Sequence, residues 1–493
     1  MNKLFQTIAI KIKVALTFTC LLFFAFTSKA QYSINNEFAT TSSCDTMTRG
    51  IFIIWWDNDF NYSAQASTML DSLAAIRTTC LNDLNMQDPL NAQDGYYCNI
   101  YIHTPDNPLD TFFVNGWGNG VGGDANGYPF MTLPNFILGN ELNLAHETFH
   151  IFQTHGMWDV TPGIYLTDDG GWFVETTAEW FAYKRYPNHE YAFITSEIIV
   201  RIPQVPLWLD WWNQPGNYPN NWQRTVRQYG LGTFLYYLTN VAGIPDTVLS
   251  ATFYSGTNFT PQEYLYNQIG AVDWRNYFID GAAHMTNNFD FIAPSKVTEA
   301  ILEWETYADP LDDNKFIQTY TNTGSNGWFQ PDDTLTTNAW SFNTYKLLNT
   351  NNETYTFQIN GNATGSYGDD SYFQGKVLVQ NSITGASFYD LVMNNDYQGT
   401  LSIELTPNDT AAYFIIGSMP EYFEDYNTSF QLFPYEMKIS TGEITGLSEI
   451  ELSSKRFEVA RYNLLGQKVD KNEGGLQFIK YNDNTVRKIF AIQ

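Results

Sequence analysis

The segment His146-Glu147-Thr148-Phe149-His150 sets two imidazoles and a carboxylate at a spacing that can do chemistry. On a helix, residues four apart lie on one face, about one turn from each other. His146 and His150 so placed can both reach one Zn²⁺. Glu147 borders the same face and can take a proton from a metal-activated water without occupying the metal. The chain has only six histidines, so two of them in this frame with a Glu between is a specific signal. The competing reading is a core helix whose histidines bond to backbone groups.

A third ligand is needed, and the residues leave several candidates. A continuation of the metzincin type would need Gly at 153 and His at 156, where the chain has Gln153 and Gly156. His155 sits one place out of frame. The segment from Trp172 to Trp180 instead carries Glu175 and Glu179, four apart among Trp172, Phe173, Val174, Ala178 and Trp180. Two carboxylates facing a core are costly unless something positive compensates them. Either could be the ligand, and an amphipathic helix with both in solvent is the competing arrangement.

These motifs resemble the gluzincin metallopeptidases, the thermolysin and aminopeptidase superfamily, from Tyr128 through the helix beginning at Tyr229. The resemblance implies Glu175 as the third zinc ligand. It implies that Glu179 accepts the free ring N–H of His146 and fixes its tautomer. Tyr229-Gly230-Leu231-Gly232, followed by TFLYYL, is similar to the Y-x-x-G segment of the aminopeptidases. By that match Tyr229 donates to the oxyanion of the tetrahedral intermediate, with His284 as a rival for the role. In such folds an extended edge strand lies beside the cleft and pairs with a peptide. Tyr128–Leu133 would be that strand.

The elements that must position these groups follow from periodicity. Arg49–Trp56 and Tyr96–His103 read as strands. Ser63–Leu84 reads as a helix with Met69, Leu73, Ile76, Cys80 and Leu84 on one face. A glycine-rich loop spans Gly116–Gly127, and Pro129 suits Tyr128–Leu133 to an edge. Asn140 caps a helix from Glu141 to about Thr154, stopped near Gly156. From Trp172 to Ala308 the pattern is mainly helical, with pieces at Phe173–Lys184, Tyr229–Val241, Gln262–Ile269 and Ser295–Tyr307. Short alternating runs at Thr354–Ile359, Lys376–Val379, Thr400–Leu405 and Ala412–Ile416 predict an all-β module, a sandwich.

The fold class expected is therefore α+β. A zincin-like domain over 31–320, with a small mixed sheet, an active-site helix and a helical part, precedes a β-sandwich-like domain over 321–440. A small β tail over 441–493 closes the chain. Its text FEVARYNLLGQKV and GLQFIKYNDNTVRKIF resembles the sorting domain of the bacterial type IX secretion system. That resemblance implies the secretion machinery as a partner, and export through the outer membrane to the cell surface or the medium.

The opening 30 residues agree with export. Lys3, Lys11 and Lys13 precede an apolar run, Val14–Phe26, too short to span a bilayer comfortably. Ser28 and Ala30 supply small residues before Gln31, as a cleavable signal requires. Three cysteines then remain, Cys44, Cys80 and Cys98, and one disulfide with one buried thiol is expected. The 52 acidic residues against 25 basic, a net charge of −27, exclude a nucleic-acid partner, which would need a basic face. No further stretch reads as a transmembrane helix. Trp208, Trp211, Trp212, Tyr218 and Trp222 could line a cleft, though such residues are more often packing. Asp168, Asp169, Asp309, Asp312 and Asp313 offer carboxylates to Ca²⁺, but without EF-hand spacing.

The expected function is a secreted zinc peptidase acting on protein or peptide substrates, with Glu147 as general base. The alternatives are an inactive zincin-scaffold adhesin or glycan-binding protein, and a glycoprotein-directed gluzincin of the mucin type.

Overall fold

A computed structural model describes residues 32–36, 38, 43–103, 120–161, 170–209, 227–297, 318–320, 328–331, 335–347, 350, 352–361, 371–423, 431–442, 458–463, 468, 475–481 and 486–491. The opening 30 residues, expected to be an export signal, lie outside them, as do Trp211, Trp212, Tyr218, Trp222 and the five Asp residues above. Of Ser295–Tyr307, only 295–297 are described, and they are helical.

The apolar run at 51–56 splits between the two faces of a strand, as the period of two requires. In β2 (Phe52–Asp57), Phe52, Ile54 and Trp56 enter the main core, while Ile53 and Trp55 enter a smaller cluster on the opposite face. β1 (Cys44–Arg49) pairs antiparallel to it through a tight turn, with Arg49 opposite Phe52 and Gly50 at φ 58. This strand was not expected. Its sequence CDTMTR buries only Cys44, so it carries little apolar signal. Helix α1 (Ser63–Asn82) then crosses over to β3 (Cys98–His103), which lies parallel to β2. The predicted stripe of Met69, Leu73, Ile76 and Cys80 is buried. The short α2 (Leu90–Gln93) leads into β3.

β4 (Gly120–Gly123) and β5 (Pro129–Pro134) complete the sheet in the order β1-β2-β3-β5-β4. The expected edge strand is thus an inner one. β5 runs parallel to β3 and antiparallel to β4, and the edge is the glycine-rich stretch that was expected to be a loop. Pro129 is tolerated because it is the first residue of its strand. Gly122 lets the edge close over Phe130, whose Cζ would stand 2.7 Å from an added Cβ.

Helix α3 (Glu141–His155) starts where predicted, with the Asn140 side chain accepting from the Asn143 amide at 3.0 Å. It does not stop at Gly156. A π-helical turn carries on to Val160, and Gly156 is helical, with φ −60 and ψ −46. Its glycine serves packing, because a Cβ there would meet Phe253 O at 2.7 Å. Next come α4 (Gly171–Arg185), α5 (Glu197–Arg201), α6 (Gly232–Asn240), α7 (Asp246–Ala251), α8 (Pro261–Ile269) and α9 (Ala271–Thr286). The helix expected from Tyr229 is split: residues 227–230 form a helical turn, and α6 begins at Gly232. Trp208 is fully buried and belongs to the core. α9 lies in the stretch expected to be mainly helical, though not among the pieces singled out there, and has its own buried series, Trp274, Phe278, Ala282 and Met285. Gly281 lets α9 pack against Phe234 of α6, 2.8 Å from where a Cβ would lie.

The β module has two sheets. One is ordered β10-β9-β13-β7-β6, built from β6 (Gln318–Tyr320), β7 (Ser341–Leu347), β9 (Phe373–Asn381), β10 (Gly385–Asp390) and β13 (Asp409–Ser418). The other is ordered β11-β12-β8-β14, from β8 (Thr354–Asn360), β11 (Val392–Met393), β12 (Gln398–Glu404) and β14 (Glu436–Thr441). They meet face to face through Phe357 and Phe414, and through the Tyr345 and Tyr435 hydroxyls 2.6 Å apart. The module docks on the helices: Lys376 of β9 bonds Asp280 of α9 at 2.6 Å, and Trp340 inserts beside Tyr266, Trp274 and Phe278. A separate three-stranded sheet, β15 (Glu458–Asn463), β16 (Gly475–Tyr481) and β17 (Val486–Ala491), forms near the C-terminus. The fold is α+β, and no helix among the described residues is long and apolar enough to cross a membrane.

The expected disulfide is not formed. Cys44, Cys80 and Cys98 are all buried free thiols. Cys44 packs on the opposite face of the sheet from the other two, and the Cys98 thiol donates to Asn91 Oδ1 of α2 at 3.0 Å. Burial pushes the Cys80 and Cys98 thiols far above their ordinary value, so both stay protonated.

Candidate metal centre

Helices α3 and α4 pack side by side, and their facing turns bring His146, His150 and Glu175 together. His146 Nε2 and His150 Nε2 are 3.1 Å apart. Glu175 Oε2 of α4 lies 3.2 Å from the first and 3.4 Å from the second. Two ligands about 2.0–2.1 Å from one ion, at a tetrahedral angle, stand about 3.3 Å apart. These three atoms are the one group of His, Cys, Asp and Glu among the described residues that could hold a metal.

The far side of each ring is held too. His146 Nδ1 meets Glu179 Oε2 at 2.8 Å, and His150 Nδ1 meets Gln153 Oε1 at 2.6 Å. A carboxylate only accepts, so Nδ1 of His146 carries the proton and its Nε2 presents a lone pair. The centre therefore aims lone pairs at a carboxylate from within hydrogen-bond range, which is stable only with a positive charge among them. The donor set, two imidazoles and one carboxylate with one open position, fits zinc. Without a cation, a proton takes that place. Burial alone would lower the His146 pKa, but its hydrogen bonds to Glu175 and Glu179 raise it well above the ordinary imidazole value. Burial would likewise raise Glu175, yet the adjoining His150 and His146 hold it well below the usual carboxylate range.

Glu147 is 7% exposed, one residue along α3 from His146. Burial pushes its carboxyl up, against the pull of His146 and His150. A carboxyl pushed up by burial beside two imidazoles is placed to transfer a proton.

Tyr229 sits in the turn before α6, its ring centroid 5.8 Å from that of His146. The charge of Glu175, then burial, raises its pKa well above the ordinary phenol value, so it stays a donor. Thr176 fixes this turn, donating to Gln228 O at 2.6 Å. Gly232 brings α6 against Glu179, whose Cβ would lie 3.0 Å from a Cβ at that position. The rival His284 is elsewhere. It pairs with Asp290 at 2.7 Å and packs between Tyr237 and Phe388, against the β module. His155 faces Gln87 at 3.2 Å.

Sequence reading missed Gln153, Thr176 and Thr177. Gln153 donates from Nε2 to Val174 O at 3.0 Å and to Thr177 Oγ1 at 2.7 Å, tying α3 to α4. One signal existed: Gln153 follows His150 by three residues and so shares its face.

The comparisons with known proteins add the family alone. A search of curated proteins gives no match. The family model that matches runs over residues 23–446, across the sheet, the helices and the β module, and leaves the C-terminal sheet outside. The chain belongs to that family, DUF6055, a family of unknown function.

Proposed function

We propose that the chain is a secreted zinc-dependent peptidase, with His146, His150 and Glu175 holding the ion. The observation that carries this reading is the convergence of three lone-pair donors at 3.1–3.4 Å beside the buried Glu147. A bound zinc supplies Lewis acidity toward a substrate carbonyl. Glu147 takes a proton from the attacking water and later passes it to the leaving amine. Glu179 holds the His146 ring in place through Nδ1. Tyr229 donates its phenol O–H to the oxyanion that develops as water adds.

The apolar opening segment and the C-terminal sheet, which falls outside the family match, support export by a type IX route. Protein or peptide is the substrate class.

Tyr229→Phe tests the oxyanion role. Losing one such donor typically lowers kcat by about 10²–10³-fold. The expected result is a fall near the lower end of that range in peptide hydrolysis, with KM little changed and zinc retained. An unchanged kcat would remove Tyr229 from the mechanism.

A further inference from the structure

We propose that Gln153 is a positioning residue that locks His150 in its Nδ1–H form, so that Nε2 always presents a lone pair. The proposal rests on reading His146, His150 and Glu175 as a cation site, and it adds the device that orients the second imidazole.

An amide side chain can be turned either way, so its orientation must be argued from its partners. Gln153 is fully buried and touches three polar groups. One is the carbonyl of Val174, 3.0 Å from Nε2, and a carbonyl can only accept. The second is Thr177 Oγ1 at 2.7 Å, whose own proton goes to Phe173 O at 2.6 Å, so its lone pairs face the amide. Both groups demand the NH₂ end of Gln153. The oxygen is left for the third, His150 Nδ1, at 2.6 Å. An amide oxygen accepts, so Nδ1 must carry the proton.

The chain of bonds runs one way. The Thr177 hydroxyl donates to α4, the Gln153 amide donates to Thr177 and Val174, and His150 donates to Gln153. Reversing any link would set two acceptors or two donors against each other around the fully buried Gln153, which is costly for buried polar groups. The two imidazoles are thus fixed by different chemistry. A carboxylate orients His146, and a neutral amide orients His150. The neutral partner adds no negative charge to a centre that already holds Glu147, Glu175 and Glu179.

Three variants of the full chain test this: Gln153→Leu, Gln153→Glu and Thr177→Val. With six histidines in the chain, ¹⁵N-histidine labelling allows the ring nitrogens of metal-free protein to be assigned. The spectra are taken at a pH above the imidazole titration. Zinc affinity is measured separately by competition with a chelator. The parent should show His150 protonated at Nδ1. Gln153→Leu should lose that preference and bind zinc about 10–100-fold more weakly, the usual effect of removing such a partner. Gln153→Glu, which still accepts from Nδ1, should keep the tautomer and lose clearly less zinc affinity than Gln153→Leu, although its second carboxylate oxygen then faces the Val174 carbonyl. Thr177→Val should weaken the tautomer preference without removing it, and it serves if Gln153→Leu fails to fold.

An unchanged His150 tautomer in Gln153→Leu overturns the proposal, or in Thr177→Val where the first variant does not fold. So does equal loss of zinc affinity in the Leu and Glu variants, since a purely structural role would affect both. Parent protein that shows the Nδ1–H form but takes up no zinc would sink the cation-site reading and leave the tautomer assignment standing.

Discussion

Glu147→Gln is expected to keep zinc bound and to lower peptide hydrolysis by about 10³–10⁴-fold, the upper part of the range for a general acid–base group. The upper part applies because the proposed mechanism has Glu147 move a proton twice, from the water and to the amine. The substitution keeps the shape of the side chain and removes its basicity. Zinc content should not fall, since Glu147 Oε atoms are not among the three converging ligand atoms. The measurement pairs single-turnover cleavage of a peptide library with metal analysis. A variant that hydrolyses peptides as the parent does would show that another group carries the proton. A variant that loses zinc would place Glu147 in the ligand set.

Trp340→Ala is expected to lower stability by about 3–5 kcal/mol, the usual range for removing a buried tryptophan. Trp340 is fully buried among Tyr266 of α8, Trp274 and Phe278 of α9, and Phe423, with ring centroids 5.7–6.0 Å away. Its backbone is left-handed, at φ 52, which a bulky residue adopts only where its surroundings over-determine it. Around it, Gln204 O accepts from both the amide and the side chain of Asn338, and Pro203 O accepts from the Phe342 amide. Helices and β module are thus stitched by backbone as well as by side chains, and the family match runs through both. In urea, the parent should lose helical and β signals in one transition, and the variant's midpoint should drop. Separate transitions in the parent, the first unmoved by the substitution, would show that the two parts fold independently.

The local parts of this arrangement were legible in the sequence. The cap at Asn140, the face shared by His146 and His150, and the paired Glu175 and Glu179 are all set within one or two helical turns. What was hidden depends on packing between elements. Gln153 is an ordinary polar residue until α4 brings Val174 and Thr177 against it. Gly156 looks like a helix stop, and only its contact with Phe253 shows why a glycine is needed inside a continuing helix. The edge of the sheet was misplaced because a four-residue run rich in glycine has no apolar period, yet a short edge strand needs none. β1 was missed for a similar reason, being mostly polar. The cysteines could not be resolved by spacing, since their separation onto two faces of the sheet is a tertiary fact.

Zinc content of the purified chain, by mass spectrometry, tests the central claim most directly, with His146→Ala and Glu175→Ala measured beside the parent. About one zinc per parent chain, lost in both variants, is the expected result for a three-ligand site. A parent that carries no zinc, and takes none up when it is added, would contradict the peptidase reading and leave a surface adhesin built on the same scaffold.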